Sequence, residues 1–203
     1  MNNISFSLVL LLAGGAAFAV GCRKRESSDP STSTQSVKTD LALASQSQDS
    51  AAVGSVTDAK IVQADVRRII NALYGNDLDT VLAHTHPKII ASMGGLTAAR
   101  SAVQTSLAQI QSAQMSLESL SFPQEPSFLK VGLRDFVILP TKSVIVVKGQ
   151  RMESLNFQFG IKEPGSTNWA YIEGSRINTQ NLASLFPDFP AGYKFPPFYR
   201  KRL

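Results

Sequence analysis

The chain is short of cysteine and histidine, and no apolar run in it is long enough to cross a bilayer. With one cysteine, Cys22, among 203 residues, an internal disulfide is excluded, so stability has to come from a hydrophobic core. A domain of roughly 150 residues can build one, burying about 70% of its unfolded surface. The two histidines, His84 and His86, stand in neither a His-x-x-x-His nor a Glu-x-x-His spacing, and nothing near them completes a zinc site. Also missing are a glycine-rich phosphate loop, a Gly-x-Ser-x-Gly elbow and an Asp-rich calcium loop. Serine and threonine are plentiful, but without a His-based triad nucleophilic catalysis has no foothold. No metal and no cofactor is therefore expected. Lys and Arg number 20 against 15 Asp and Glu, a net charge of +5. The cations are scattered along the chain, so nucleic acid is not an expected partner.

The longest apolar stretch, Leu8 to Gly21, has about 14 residues. A spanning helix needs roughly 20, and the stretch reads as the core of a secretory signal over residues 1–21. Directly behind it, Ala19-Val20-Gly21-Cys22 resembles the lipobox of bacterial lipoproteins. That resemblance implies removal of the signal and acylation of the Cys22 thiol, so the membrane becomes a partner through lipid. The expected location is the cell envelope, facing the periplasm or the exterior. Arg23, not Asp, follows the cysteine, which favours an outer membrane where the host has one. Two alternatives stay open: ordinary cleavage after Ala17-Phe18-Ala19, and a retained anchor oriented by Arg23-Lys24-Arg25.

Residues 22–56 are rich in Ser, Thr, Gln, Asp and Ala and hold no aromatic residue. Such a composition cannot offset the entropy of an ordered backbone, and a disordered tether is expected, with a reach of about 30 Å for ~30 residues. From Thr57 the pattern turns periodic. Val62, Val66, Ile69, Ile70 and Leu73 have helical spacing up to Gly75. Asp77 caps a short helix through Leu82, Pro87 starts a further turn, Gly94-Gly95 ends it, and Thr97 caps a helix through Val103, Leu107 and Ile110. After Gln114 the period becomes two. Strands are expected near residues 116–122, 128–139, 143–147, 152–161 and 169–173, with breaks at Pro140-Thr-Lys, Lys148-Gly149-Gln150 and Glu163 to Thr167. Helices first and a meander afterwards predict an α+β domain over residues 57–190, with helices on one face of a curved antiparallel sheet. Residues 191–203 form an aromatic and basic tail.

Several local features carry a family resemblance. They are the opening helix, His84-Thr-His86-Pro87 to Gly94-Gly95, Asn168-Trp169-Ala-Tyr171-Ile-Glu-Gly174, and Leu185-Phe186-Pro187-Asp188-Phe189-Pro190. In this order the chain resembles the nuclear transport factor 2-like (SnoaL-like) superfamily. The resemblance implies a cone with a helical lid on a bent sheet and a pocket between them. Some members place a carboxylate or histidine there as isomerases or cyclases, others only bind or assemble, and fold alone does not choose.

Candidate chemistry is sparse. His84 and His86 suit proton transfer near neutral pH, yet an i, i+2 pair at a helix end points its rings apart. Their plainer role is a cap or a solvated surface. Asp135, and more weakly Glu153, lie on candidate strands where a carboxylate facing an apolar pocket acts as a base. If Phe136 and Ile138 face the core, Arg134 shares their side and Asp135 faces away; the opposite phase reverses this. Arg134, Lys142 and Arg151 are expected on a basic outer face. Phe157, Phe159, Trp169 and Tyr171 are expected as core or pocket aromatics. The tail's Pro196-Pro197-Phe198-Tyr199 matches a WW-domain ligand by coincidence. Its aromatics and cations fit either an anionic membrane surface or a covered sheet edge.

The expected function is thus a non-catalytic domain of a lipid-anchored protein that binds a partner protein or a small apolar ligand. An isomerase, dehydratase or cyclase with its base drawn from Asp135, His84 or His86 is the first alternative. A module that dimerises through its sheet is the second.

Overall fold

A computed structural model describes residues 56–177 and 179–203. The expected signal, Cys22 and the tether lie outside the described residues. Among those described, no helix is long and apolar enough to cross a membrane.

Four helices come first: α1 Val56–Tyr74, α2 Leu78–His84, α3 Pro87–Ser92 and α4 Leu96–Ser112. Val62 and Val66 of α1 are fully buried, as are Val103, Leu107 and Ile110 of α4 to within 3%. Each such side chain contributes roughly 1.5–3 kcal/mol of burial. Asp77 caps α2 by accepting from the Thr80 backbone N–H at 3.0 Å, and Pro87 opens α3. The α4 cap differs from expectation. Gly95, at φ 93°, occupies that position and makes no side-chain cap bond, while Thr97 lies inside the first turn. A left-handed Gly94-Gly95 pair turns the chain between α3 and α4 too sharply for a capping side chain to be the device.

The sheet has six strands: β1 Met115–Ser121, β2 Ser127–Val131, β3 Arg134–Val147, β4 Gln150–Lys162, β5 Ala170–Glu173 and β6 Tyr199–Arg202. Its main path is β1-β3-β4-β5, all antiparallel. β2 pairs with the first part of β3, and β6 pairs with the first part of β4 beside β5. The β3–β4 hairpin turns at Lys148-Gly149, whose positive φ values of 49° and 79° match the twist of the flanking strands.

Two strand boundaries differ from expectation. Residues 128–139 are not one strand, because Gly132, at φ 59°, folds them into the β2–β3 hairpin. Nor does Pro140 break the chain: it sits within β3 opposite Phe157. β2 covers β3 as far as Ile138 and β1 covers it from Lys142. Pro140 falls in the gap between these neighbours, where one side of the ladder has no partner to lose.

Past β5 come a 3-10 turn, Gly174–Arg176, and α5, Thr179–Leu185. The chain then crosses the sheet face away from α1 and α4. There Phe136, Ile138, Phe157, Phe159 and Ile161 meet Leu182, Phe186 and Phe189, with Tyr193 and Phe195 packed alongside. Residues 191–203, expected as a tail beyond the domain, are joined to it. Phe195 stacks on Phe157 at 5.2 Å, and Tyr199–Arg202 pair along Leu155–Met152. The aromatics cover a sheet face, while Phe198 and Leu203 remain exposed.

Candidate functional site

The helix face of the sheet carries two apolar clusters with a gap between them. Val62, Val66, Val137, Leu139, Trp169 and Tyr171 make one. Leu82, Val103, Leu107, Ile110, Met115 and Ile145 belong to the other. On the same face, between Leu139 and Ile145, stand Thr141 and Ser143, with Ser154 and Asn156 beside them on β4 and Ser143 directly opposite Ser154. Short polar side chains do not reach the helices, so the layers are held apart by the two clusters and a hollow is left. It is a half-open cavity of about 170 Å³. Ile69, Ile70, Leu73 and Tyr74 of α1 roof it, Val81, His84 and Ile89 wall it, and Glu173, Arg176 and Arg200 reach its rim.

The polar groups are ordered by a few contacts. Asn156 donates through Nδ2 to Glu173 Oε1 at 2.9 Å and accepts from the Phe157 N–H at 2.8 Å through its own oxygen. Glu173 Oε2 lies 3.8 Å from Arg176 Nε. The carboxylate is thereby held by an amide and faced by a cation. Burial pushes the Tyr74 hydroxyl up to about 12, with Arg200 opposing and Glu173 reinforcing the shift, so Tyr74 remains a donor at neutral pH. Tyr171 also lines the cavity, but its hydroxyl is turned to Asp65 Oδ2 at 3.1 Å. Burial first, and then Asp65, hold that hydroxyl protonated. His84 Nδ1 lies 2.9 Å from the Thr80 carbonyl oxygen. A carbonyl only accepts, so Nδ1 carries a proton.

Of the acid and base candidates expected from sequence, only His84 lines the cavity. Asp135 shares the helix face but sits at the end of the sheet, 3.6 Å from both Lys130 and Lys162. His86 is 1% exposed and capped into the structure. Phe157 and Phe159 point to the opposite sheet face. Trp169 is buried beside Phe128 and lies under Lys162 Nζ, 4.8 Å from its ring centre. The groups sequence reasoning passed over are Tyr74, Asn156, Glu173, Arg176 and Arg200. Alternation from Tyr171 does place Glu173 on its face, and that was the one available signal.

A second polar group ties the outer segment down. His86 accepts the Lys88 N–H through Nδ1 at 3.2 Å, so its proton sits on Nε2, which donates to Glu163 Oε1 at 3.3 Å. The Arg134 guanidinium binds Glu163 at 2.9 Å and Asp188 at 2.9 Å, and Phe186 meets the His86 ring edge-on at 5.3 Å. Burial drives the His86 pKa below the ordinary imidazole range, outweighing the pull of Glu163. Burial pushes the Glu163 carboxyl up, but Arg134 overcomes it and holds the group below its usual range. His86 adds to that lowering through the hydrogen bond from Nε2–H.

The outer cations expected as a basic face are each neutralised. Arg134 has the partners above, Arg151 binds Glu118 at 2.8 Å, and Lys142 binds Glu153 at 2.9 Å. Glu153 also takes Lys201 at 3.1 Å and the Tyr199 hydroxyl at 3.0 Å. Lys142, then Lys201 and Tyr199, lower its pKa to about 2. Among the described residues no group of three or more His, Cys, Asp or Glu side chains is placed to hold a metal ion.

No protein-family model matches the chain, and no curated protein matches it significantly. Among solved structures, a nuclear transport factor 2-like protein from Burkholderia xenovorans aligns at 16% identity over 62% of this chain and 95% of that one, with a TM-score of 0.30. So distant a match leaves the fold to rest on its own elements. Those elements are helices packed on one face of a curved antiparallel sheet, an α+β cone of the kind the sequence resemblance implied.

Proposed function

We propose that this is an exported, lipid-anchored protein whose α+β domain binds a small, largely apolar molecule and performs no chemistry on it. The observation behind the binding reading is the cavity itself: apolar roof and walls, a polar floor, a solvent opening and a rim of charged groups. Its one carboxylate is engaged by Asn156 and faced by Arg176, which suits a fixed polar wall better than a free base. At about 170 Å³ the space fits a short molecule and not a drug-sized one, which needs roughly 300 Å³ or more. The anchor reading is carried by Cys22 behind its short apolar run, with the residues between Cys22 and α1 as tether.

Titration of the isotopically labelled full chain with hexanamide, a neutral probe, tests the binding reading. Amide shifts are expected around the cavity lining, and Ser154→Phe, which fills the floor, is expected to abolish them while the fold persists. No shift at any lining residue ends the reading. For the anchor, mass spectrometry of mature protein from its host is expected to show a diacylated Cys22. An unmodified thiol ends that part alone.

His84 and Glu173 together on the cavity lining favour one second reading, a proton-transfer enzyme. Such a site accelerates hydrogen–deuterium exchange next to the carbonyl of cyclohexanone, whereas the binding reading predicts exchange at the buffer rate. A dimer through the sheet face would form where Phe186, Phe189 and Phe195 already lie.

A further inference from the structure

We infer that the cavity selects molecules with an apolar body and one carboxylate, the acid being received at the rim by the Arg200 guanidinium and the Tyr74 hydroxyl. The inference rests on the reading of the cavity as a ligand site and adds the chemical class of what enters it. β6 pairs with β4 so that Arg200 lies opposite Ser154. Ser154 is on the cavity floor, and cross-strand partners share a face, so Arg200 is directed to the cavity mouth while Tyr199 and Lys201 turn to Glu153 on the other side.

The charge balance at the rim leaves one cation over. Three charged side chains line it: Glu173, Arg176 and Arg200. Glu173 and Arg176 face each other at 3.8 Å, and Asn156 satisfies the carboxylate further. Arg200 has no hydrogen-bond or ion-pair partner among the described residues, in contrast to Arg134, Arg151 and Lys142 on the other face. Tyr74 likewise spends its hydroxyl on no described group, and Arg200 is close enough to bear on its titration. A guanidinium and a phenolic O–H at the mouth of an apolar hollow offer a carboxylate donors of both kinds. A ligand cation would meet Arg200 instead, and a neutral amide would leave its charge unanswered.

The test compares hexanoate with hexanamide, which share shape and differ in charge, by calorimetry on the full chain at pH 7, where the acid is ionised. Hexanoate is expected to bind roughly five- to tenfold more tightly, with the advantage shrinking at high salt because Arg200 is exposed. Arg200→Gln is expected to erase the preference for hexanoate over hexanamide, and Tyr74→Phe to remove part of it. Equal affinities of the two probes for the wild-type chain overturn the inference and leave the binding reading standing. So does an Arg200→Gln chain that keeps the full preference. Failure of both probes to bind overturns the binding reading and this inference together.

Discussion

The two faces of the sheet are built from the same strands and end up as opposites. On the outer face β3 and β4 present Phe136, Ile138, Phe157, Phe159 and Ile161, and the segment that follows α5 fills the remaining space with Phe186, Phe189 and Phe195. On the helix face the same strands alternate into Thr141, Ser143, Ser154 and Asn156, and a hollow results. Close packing is therefore a matter of which residues alternate, and of how much chain is laid over them, more than of strand geometry. The outer face and the two helix-side clusters hold the domain together, and the hollow between those clusters is free to hold something else.

Several experiments sharpen or break this contrast. The largest effect is expected from Phe186→Ala. It empties a fully buried position touching Phe136, Phe159 and His86, and should cost about 3–5 kcal/mol in urea unfolding. Next comes a matched pair of additions. Gly174→Ala places a methyl carbon 2.5 Å from the Phe157 ring and should cost about 1–3 kcal/mol, whereas Ser154→Phe, adding a whole ring on the hollow side, should cost less than about 1.5 kcal/mol. If the larger addition proves the more damaging, the cavity is not free space.

Acid should act on the outer face through His86. Its folded pKa is depressed, so as pH falls through the ordinary imidazole value near 6.5 the unfolded chain takes up a proton that the folded chain refuses. Stability is then fully present above that value, declines below it, and levels off beneath the folded pKa. His86→Asn, which keeps a capping acceptor for α3, should flatten the slope of the urea midpoint between pH 7.5 and 5.5. An unchanged slope would place the titrating group elsewhere.

A smaller, local effect is expected at Glu153. Lys142, Lys201 and Tyr199 lower its pKa to about 2, so its contribution is present above about 4.5 and is lost as pH falls towards 2. Glu153→Gln should loosen β6, read as faster amide exchange over Tyr199–Arg202 with α1 unaffected. The smallest change is expected from Asp135→Asn, about 1 kcal/mol or less for its half-exposed ion pairs, with hexanamide binding unaltered. A loss of binding there would return Asp135 to the cavity, against its position at the sheet's end.

How much of this was legible in the residues follows from how local each signal is. α1 to α3 have their boundaries written in single positions: Gly75, Asp77, Pro87. The strands are less readable because the β2–β3 turn at Gly132 is set within a continuous β-prone stretch, and because Pro140 looks like a break when the neighbouring strands happen to leave it a gap. The cavity is harder still. His84, His86 and Asp135 drew attention by residue type, but a site depends on which side chains converge. Tyr74, Asn156, Glu173 and Arg200 come from α1, β4, β5 and β6, and no spacing along the chain joins them. Ser143 and Ser154 mark the hollow by being small, a signal visible only once they are known to face each other.

Because residues 69–74 supply the roof of the hollow and residue 200 its rim, a ribosome delivers the two parts at opposite ends of the domain's synthesis. The rim gains Arg200 only when β6 pairs along β4. A polypeptide clipped after Phe195 would keep its aromatic packing yet lose Arg200 from the mouth of the hollow, so a carboxylate would no longer be favoured there over a neutral ligand.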